Sequence, residues 1–115
     1  MSALQIAVAG AGLIGRRHIE LIAANAQCVL SAVVDPAPGA GALAHAHGAA
    51  HYSSLDALFA NTSPDGVIVA TPNRLHVPNG LACVRKGVPV LVEKPIADTV
   101  ADAMQLVDRQ IFCGH

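Results

Sequence analysis

The sequence predicts an α/β fold: a doubly wound parallel sheet in three αβα layers, with helices on both of its faces. Three observations carry that expectation. Short apolar runs alternate with helical patterns along the whole chain, which is the order of a parallel α/β sheet. Hydrophobic residues make up 53% of the chain and aromatic residues only 3%, so the interior is built from Ala, Val, Leu and Ile. Such an interior suits parallel strands covered on both sides. Finally, a glycine turn, Gly10-Ala11-Gly12-Leu13-Ile14-Gly15, lies directly between the first apolar run and the first helical pattern.

Each element has its own warrant. Strands are expected near 4–9, 28–34, 49–52, 66–70 and 88–92, where apolar residues cluster between turn-forming ones. Helices are expected near 13–25, 40–47, 54–60, 76–86 and 99–109. The second is short because Gly39, Gly41 and Gly48 punctuate it. Ser54 is placed to N-cap the third, ahead of Leu55-Asp56-Ala57-Leu58-Phe59. Residues 61–66, Asn-Thr-Ser-Pro-Asp-Gly, form a turn into the fourth strand. Thr99 and Asp102 resemble a capping box, and Val100, Ala103, Met104, Val107 and Ile111 share one face of the last helix. The whole, 1–115, reads as one domain, without repeat or internal linker.

A bare G-x-G-x-x-G is a weak signal, but its surroundings sharpen it. It follows a strand, opens a helix, and is answered by Asp35 at the end of the next strand, twenty positions after Gly15. That order is the fingerprint of a Rossmann dinucleotide-binding domain. Gly10 permits the tight turn, Gly12 lets a diphosphate approach the backbone, and Gly15 brings helix and strand close. The helix's first amides, at Leu13 and Ile14, then face the phosphates at the positive end of the helix dipole. Asp35 would accept hydrogen bonds from the adenosine ribose hydroxyls and repel a 2′-phosphate; Pro36 rather than arginine follows it, which favours NAD over NADP. The bland counterpart is a glycine turn in an ordinary α/β domain, with Asp35 a solvated strand end.

Two further segments sit at strand ends, the rim where open α/β sheets bind ligands. In Ala70-Thr71-Pro72-Asn73-Arg74-Leu75-His76, Thr71 and Asn73 can offer polar groups to ribose and amide edges, and His76 starts the next helix. The same residues also suit a loop that satisfies its own backbone, with His76 as a surface cap. In Val90-Leu91-Val92-Glu93-Lys94-Pro95, a strand ends abruptly in an acid, a base and a proline. A partly buried lysine there can hydrogen-bond a substrate hydroxyl and share in proton transfer. Otherwise Glu93 and Lys94 form an exposed pair at a strand end.

A formal charge of −1 and the lack of a basic run argue against nonspecific nucleic-acid binding. No stretch reaches the roughly 18 unbroken apolar residues of a membrane span, and the uncharged start lacks the leading positive charge of a signal peptide. Cys28, Cys83 and Cys113 are widely spaced and form no C-x-x-C pair, as expected of small buried hydrophobes in a reducing cytoplasm. His45, His47 and His51 lack metal-ligand spacing, so no metal site is expected. His18 shares a helical face with Ile14, Leu21 and Ile22 and reads as a packed histidine beneath the cofactor. Arg16 and Arg17 suit either a phosphate or solvent.

These segments together resemble the N-terminal domain of the Gfo/Idh/MocA oxidoreductases, the glucose-fructose oxidoreductase and inositol dehydrogenase family. The matching residues are Gly10 to His18, Val34-Asp35-Pro36, Ala70 to His76, and Glu93-Lys94-Pro95-Ile96-Ala97, the last being the most family-specific. The resemblance implies a nicotinamide-dependent dehydrogenase acting on a secondary alcohol of a sugar, cyclitol or related polyol. It implies that Lys94 contacts the reacting hydroxyl, with Glu93 and the Thr71–His76 loop lining the nicotinamide side. It also implies a second, α+β domain that supplies an acid/base partner and is missing here, so that the sequence reads as shortened within its last helix–strand unit, near Gly114-His115. An apolar rim left where that domain belongs would favour a homo-oligomer. The competing classes are a non-catalytic NAD-binding module and, more weakly, a methyltransferase using S-adenosylmethionine.

Overall fold

The computed structural model describes residues 3–72, 75–92 and 112–113. The chain order is β1 (Leu4–Ala9), α1 (Leu13–Ala23), β2 (Cys28–Val34), α2 (Ala40–Ala46), β3 (Ala50–Tyr52), α3 (Leu55–Asn61), β4 (Gly66–Val69), α4 (His76–Arg85), β5 (Val90–Val92) and β6 (Phe112–Cys113). The strands form one sheet in the order β3-β2-β1-β4-β5-β6, with every pairing parallel. That is the doubly wound order, and it reverses direction between β1 and β4. The five expected strands and first four expected helices are all present, with ends shifted by at most two residues. The expected helix over 99–109 and its capping box lie outside the described residues. β6, two residues that pair with Leu91 and Val92, is an addition to the expected elements.

The sheet carries a core on each face. On one, α1 and α2 bring Ile19, Ile22, Ala40 and Ala44 onto Val8, Leu30 and Val33. On the other, α3 and α4 bring Leu55, Leu58 and Cys83 onto Ala7, Ala9, Ala32, Val34, Val67, Val69, Val90 and Val92. Side chains alternate between faces along β1, but β2 breaks step. The register passes from Ile6↔Leu30 to Ala7↔Ala32, leaving Ser31 as an unpaired bulge residue. This lets Leu30 and Val33, three apart, share the α1/α2 core. The bulge also buries the Ser31 hydroxyl with no hydrogen-bond partner among the described residues.

Local signals in the sequence set the boundaries. Ser54 caps α3 as expected, its Oγ accepting from the Ala57 N–H at 3.2 Å. At the turn before β4, the Asp65 carboxylate accepts from the Gln5 N–H (2.7 Å), and the Asp65 N–H donates to the Gln5 carbonyl (2.8 Å). These two bonds tie the amino ends of β1 and β4 together. One expectation needs correction. The buried face of α1 runs through Gly15, Ile19 and Ile22, whereas Ile14 and Leu21 are exposed and His18 is half-buried. Packing of Gly15 against the turn below sets the rotation of the helix, and side chains about 100° round from it turn outward.

Candidate dinucleotide site

The site begins where β1 ends. Gly10 has φ +104°, a conformation that L side chains rarely adopt, and a Cβ there would lie 2.5 Å from the Ala70 carbonyl oxygen. The Gly10 N–H donates to the Val34 carbonyl (2.8 Å), and the Ala70 N–H donates to the Ala9 carbonyl (2.7 Å). The ends of β1, β2 and β4 are thus held together at the point where strand order reverses. Gly15 serves contact of the same kind: a Cβ on it would fall 1.8 Å from the Gly10 oxygen. Gly12 is different. Its φ of −76° is available to any residue, and a Cβ there would meet nothing within 4 Å. Sterics of the fold do not require glycine at this position.

What Gly12 keeps open is the amino end of α1. The first intrahelical bond runs from the Arg16 N–H to the Gly12 carbonyl (2.9 Å), and no side chain caps the helix. The amides from Leu13 to Gly15 therefore have no partner within the helix. An anion placed above them meets N–H donors and the positive end of the helix dipole, the chemistry a diphosphate needs. Leu13 and Ile14 are both exposed, so no core packing covers this end of the helix. Arg16 and Arg17 are exposed as well, and the Arg16 Nε donates to the Ala11 carbonyl at 3.1 Å. That contact sets a cation beside the turn.

Asp35 lies at the carboxyl end of β2, half-buried, where its two carboxylate oxygens are already engaged. Oδ2 accepts from the Ala11 N–H (2.7 Å) and Oδ1 from the Ala37 N–H (2.8 Å). A carboxylate offers about four lone-pair sites, so each oxygen retains capacity for one more donor. The side chain is thereby aimed before any ligand arrives, and it joins the glycine turn to β2. Its backbone is fixed too: the Asp35 N–H donates to the Tyr52 carbonyl (3.0 Å), and His51 Nε2 donates to the Asp35 carbonyl (2.8 Å). A carbonyl only accepts, so that contact requires the Nε2–H tautomer of His51. Among the described residues no three His, Cys, Asp or Glu side chains converge on a metal-sized site.

The third wall comes from the loop after β4. Thr71 is half-buried, and its Oγ1 accepts from Asn79 Nδ2 at 2.8 Å. A cavity of about 230 Å³ opens beside it, lined by Ala9, Val34, Pro36, Ser53, Ser54, Leu55, Thr71, Leu75 and Asn79. Asn73, Glu93 and Lys94 lie outside the described residues, and His76 begins α4 with its side chain likewise outside them. The structure therefore brings together Gly10, Gly12, Leu13, Ile14, Gly15, Asp35 and Thr71. Asn79 joins the site without having been anticipated, because its contact depends on how α4 is set against the loop. A cavity of about 540 Å³ opens at the opposite, amino-terminal edge of the sheet. It is lined by apolar residues such as Leu4, Ile6, Ile68 and Leu91, and its one ionisable carboxylate, Asp65, already takes the Gln5 N–H. That chemistry belongs to packing.

The chain matches, over residues 4–110, the model of the Gfo/Idh/MocA oxidoreductase family, NAD-binding Rossmann fold. It belongs to that family. Inositol 2-dehydrogenase 2 of Saccharopolyspora erythraea is 39% identical over 115 residues, covering 97% of this chain and 34% of that protein. A myo-inositol dehydrogenase from Corynebacterium glutamicum superposes with a TM-score of 0.88 at 36% identity, covering 97% of this chain and 36% of that one. GenD2 from gentamicin A biosynthesis, solved in complex with NAD, gives a TM-score of 0.88 at 32% identity over all of this chain and 34% of that one. The chain spans about a third of the length of these relatives. NAD is the cofactor of this family domain. The described residues fit it: an open approach at Gly12, amides with no partner within the helix behind it, and a pre-aimed carboxylate at Asp35. No helix among the described residues is long and apolar enough to cross a membrane.

Proposed function

We propose that this chain is the cofactor half of an NAD-dependent dehydrogenase that oxidises a secondary alcohol of a sugar, cyclitol or related polyol. The observation that carries the cofactor half is Gly12. Among the described residues the fold leaves space there that its own packing does not use, directly in front of amides with no partner within the helix. Leu13 and Ile14 would hold the diphosphate through their N–H groups, and Asp35 the adenosine ribose through its remaining lone pairs. Asn73, His76 and Glu93 would line the nicotinamide side, whereas Thr71 borders the cavity beside Pro36. When bound, NAD supplies the hydride acceptor at its nicotinamide ring.

Lys94 is the proposed contact to the reacting hydroxyl, where its ammonium would orient the oxygen and help carry its proton away. Support for this is the sequence Glu93-Lys94-Pro95 directly after Val92, the last residue of β5, which runs parallel to β4 and β1, together with the dehydrogenase relatives. A lysine is one half of an acid–base pair, so the 115 residues alone should bind NAD with little steady turnover.

Calorimetric titration with NAD and NADP tests this reading. NAD should bind more tightly than NADP, and Asp35→Ala should weaken NAD by on the order of 10- to 100-fold while narrowing the gap to NADP. Unchanged preference in Asp35→Ala rules out the ribose role. Steady alcohol oxidation by the chain alone rules out the half-site assignment. Binding of NAD without activity in any longer form carrying Lys94 favours the non-catalytic module instead.

A further inference from the structure

We propose that Asn79 reads the adenine edge of the cofactor. The inference rests on the NAD reading above and deepens it. The cavity of about 230 Å³ is lined by Val34 and Pro36, the residues on either side of the ribose-directed Asp35. A dinucleotide whose diphosphate sits at Gly12 and whose ribose meets Asp35 therefore delivers its base here. The size suits one heterocycle, since complete ligand pockets run to about 300–1,000 Å³. Val34, Pro36, Leu55 and Leu75 give it apolar surface for the ring faces.

The polar lining narrows the choice of edge. Ser53 and Ser54 line it as well, with Ser54 Oγ capping α3 by accepting from the Ala57 N–H; of the polar side chains there, Asn79 alone pairs a donor with an acceptor on separate atoms. Asn79 is half-buried and uses one amide hydrogen on Thr71 Oγ1. That bond directs Nδ2 toward Thr71 and leaves the amide one N–H and its Oδ1 acceptor, neither with a further hydrogen bond among the described residues. A donor and an acceptor side by side complement adenine, whose 6-amino donor neighbours a ring-nitrogen acceptor. Hypoxanthine puts a carbonyl where that amino group stands, so Oδ1 would face another acceptor.

The test compares NAD with nicotinamide hypoxanthine dinucleotide, by calorimetry on the full 115-residue chain. Wild type should prefer NAD by about tenfold. Asn79→Ala should bring the two ligands within about twofold of each other, whereas Asn79→Asp, which keeps an acceptor for the amino group, should retain the preference. Circular dichroism checks that both variants are folded. Equal binding of the two ligands by wild type, or an undiminished preference in Asn79→Ala, overturns the assignment while leaving the NAD reading intact. Failure of wild type to bind NAD at all overturns both.

Discussion

Two glycines of one motif should fail in opposite ways when replaced by alanine. In Gly15→Ala the new carbon would start 1.8 Å from the Gly10 oxygen, and distances under 3.0 Å do not occur for real Cβ atoms. The helix or the turn must retreat by more than 1 Å, and both are backbone, so no side-chain rotation relieves the contact. Overpacking of this kind costs about 1–3 kcal/mol, and the upper end lowers Tm by roughly 10 °C in a domain of this size. Gly12→Ala meets nothing within 4 Å and asks for no unusual φ, so its stability should stay within about 1 kcal/mol of wild type. Its methyl group nevertheless stands in the approach to the helix amides. Loss of a hydrogen bond to a charged phosphate weakens NAD by on the order of 10- to 100-fold. Thermal denaturation and calorimetry on both variants read the two effects separately. Wild-type NAD affinity in Gly12→Ala would refute the diphosphate assignment, and wild-type stability in Gly15→Ala would refute the close packing.

Other expectations concern the core. Burial pushes the Cys83 thiol from its ordinary value near 9 up to about 12. The unfolded chain then ionises this thiol first, so stability is complete below pH 9 and declines as pH rises from 9 toward 12. Urea midpoints should fall across that window in wild type and fall less in Cys83→Ala; equal slopes would contradict the burial. Ser31→Ala removes a buried hydroxyl without a partner, so the urea midpoint should rise, by the equivalent of about 1 kcal/mol, and a marked drop would show a bond the bulge does not reveal. Ser54→Ala should cost about 1 kcal/mol through loss of the α3 cap, read by the same denaturation curves.

Much of this was legible in the residues, for identifiable reasons. Strands buried on both faces read as Val/Ile/Leu/Ala runs, and turn residues such as Gly10, Pro64 and Gly87 punctuate them. The Gly10–Gly15 turn and Asp35 stand out by their spacing alone, and the structure brings them together. The bulge at Ser31 was hidden because Cys28–Val34 has no regular alternation to interrupt. The rotation of α1 does not follow from its sequence because Ile14, His18 and Leu21 also make a stripe, and only the Gly10–Gly15 contact decides between faces. The second task of Asp35, fastening Ala11, and the bond from Asn79 to Thr71 arise from tertiary placement, which no local pattern encodes. Phe112 and Cys113 are too few to show a strand period.

A diphosphate resting on the amides of the glycine turn, with Asp35 holding the neighbouring sugar, would be felt first by the backbone amides of those two segments. Titrating ¹⁵N-labelled protein with NAD and following the backbone amide resonances tests that arrangement most directly. The expected result is a set of large shifts at Ala11 to Gly15 and Asp35 to Ala37, saturating together. Shifts confined to the amino-terminal edge around Leu4, Asp65 and Leu91, or none at all, would contradict it.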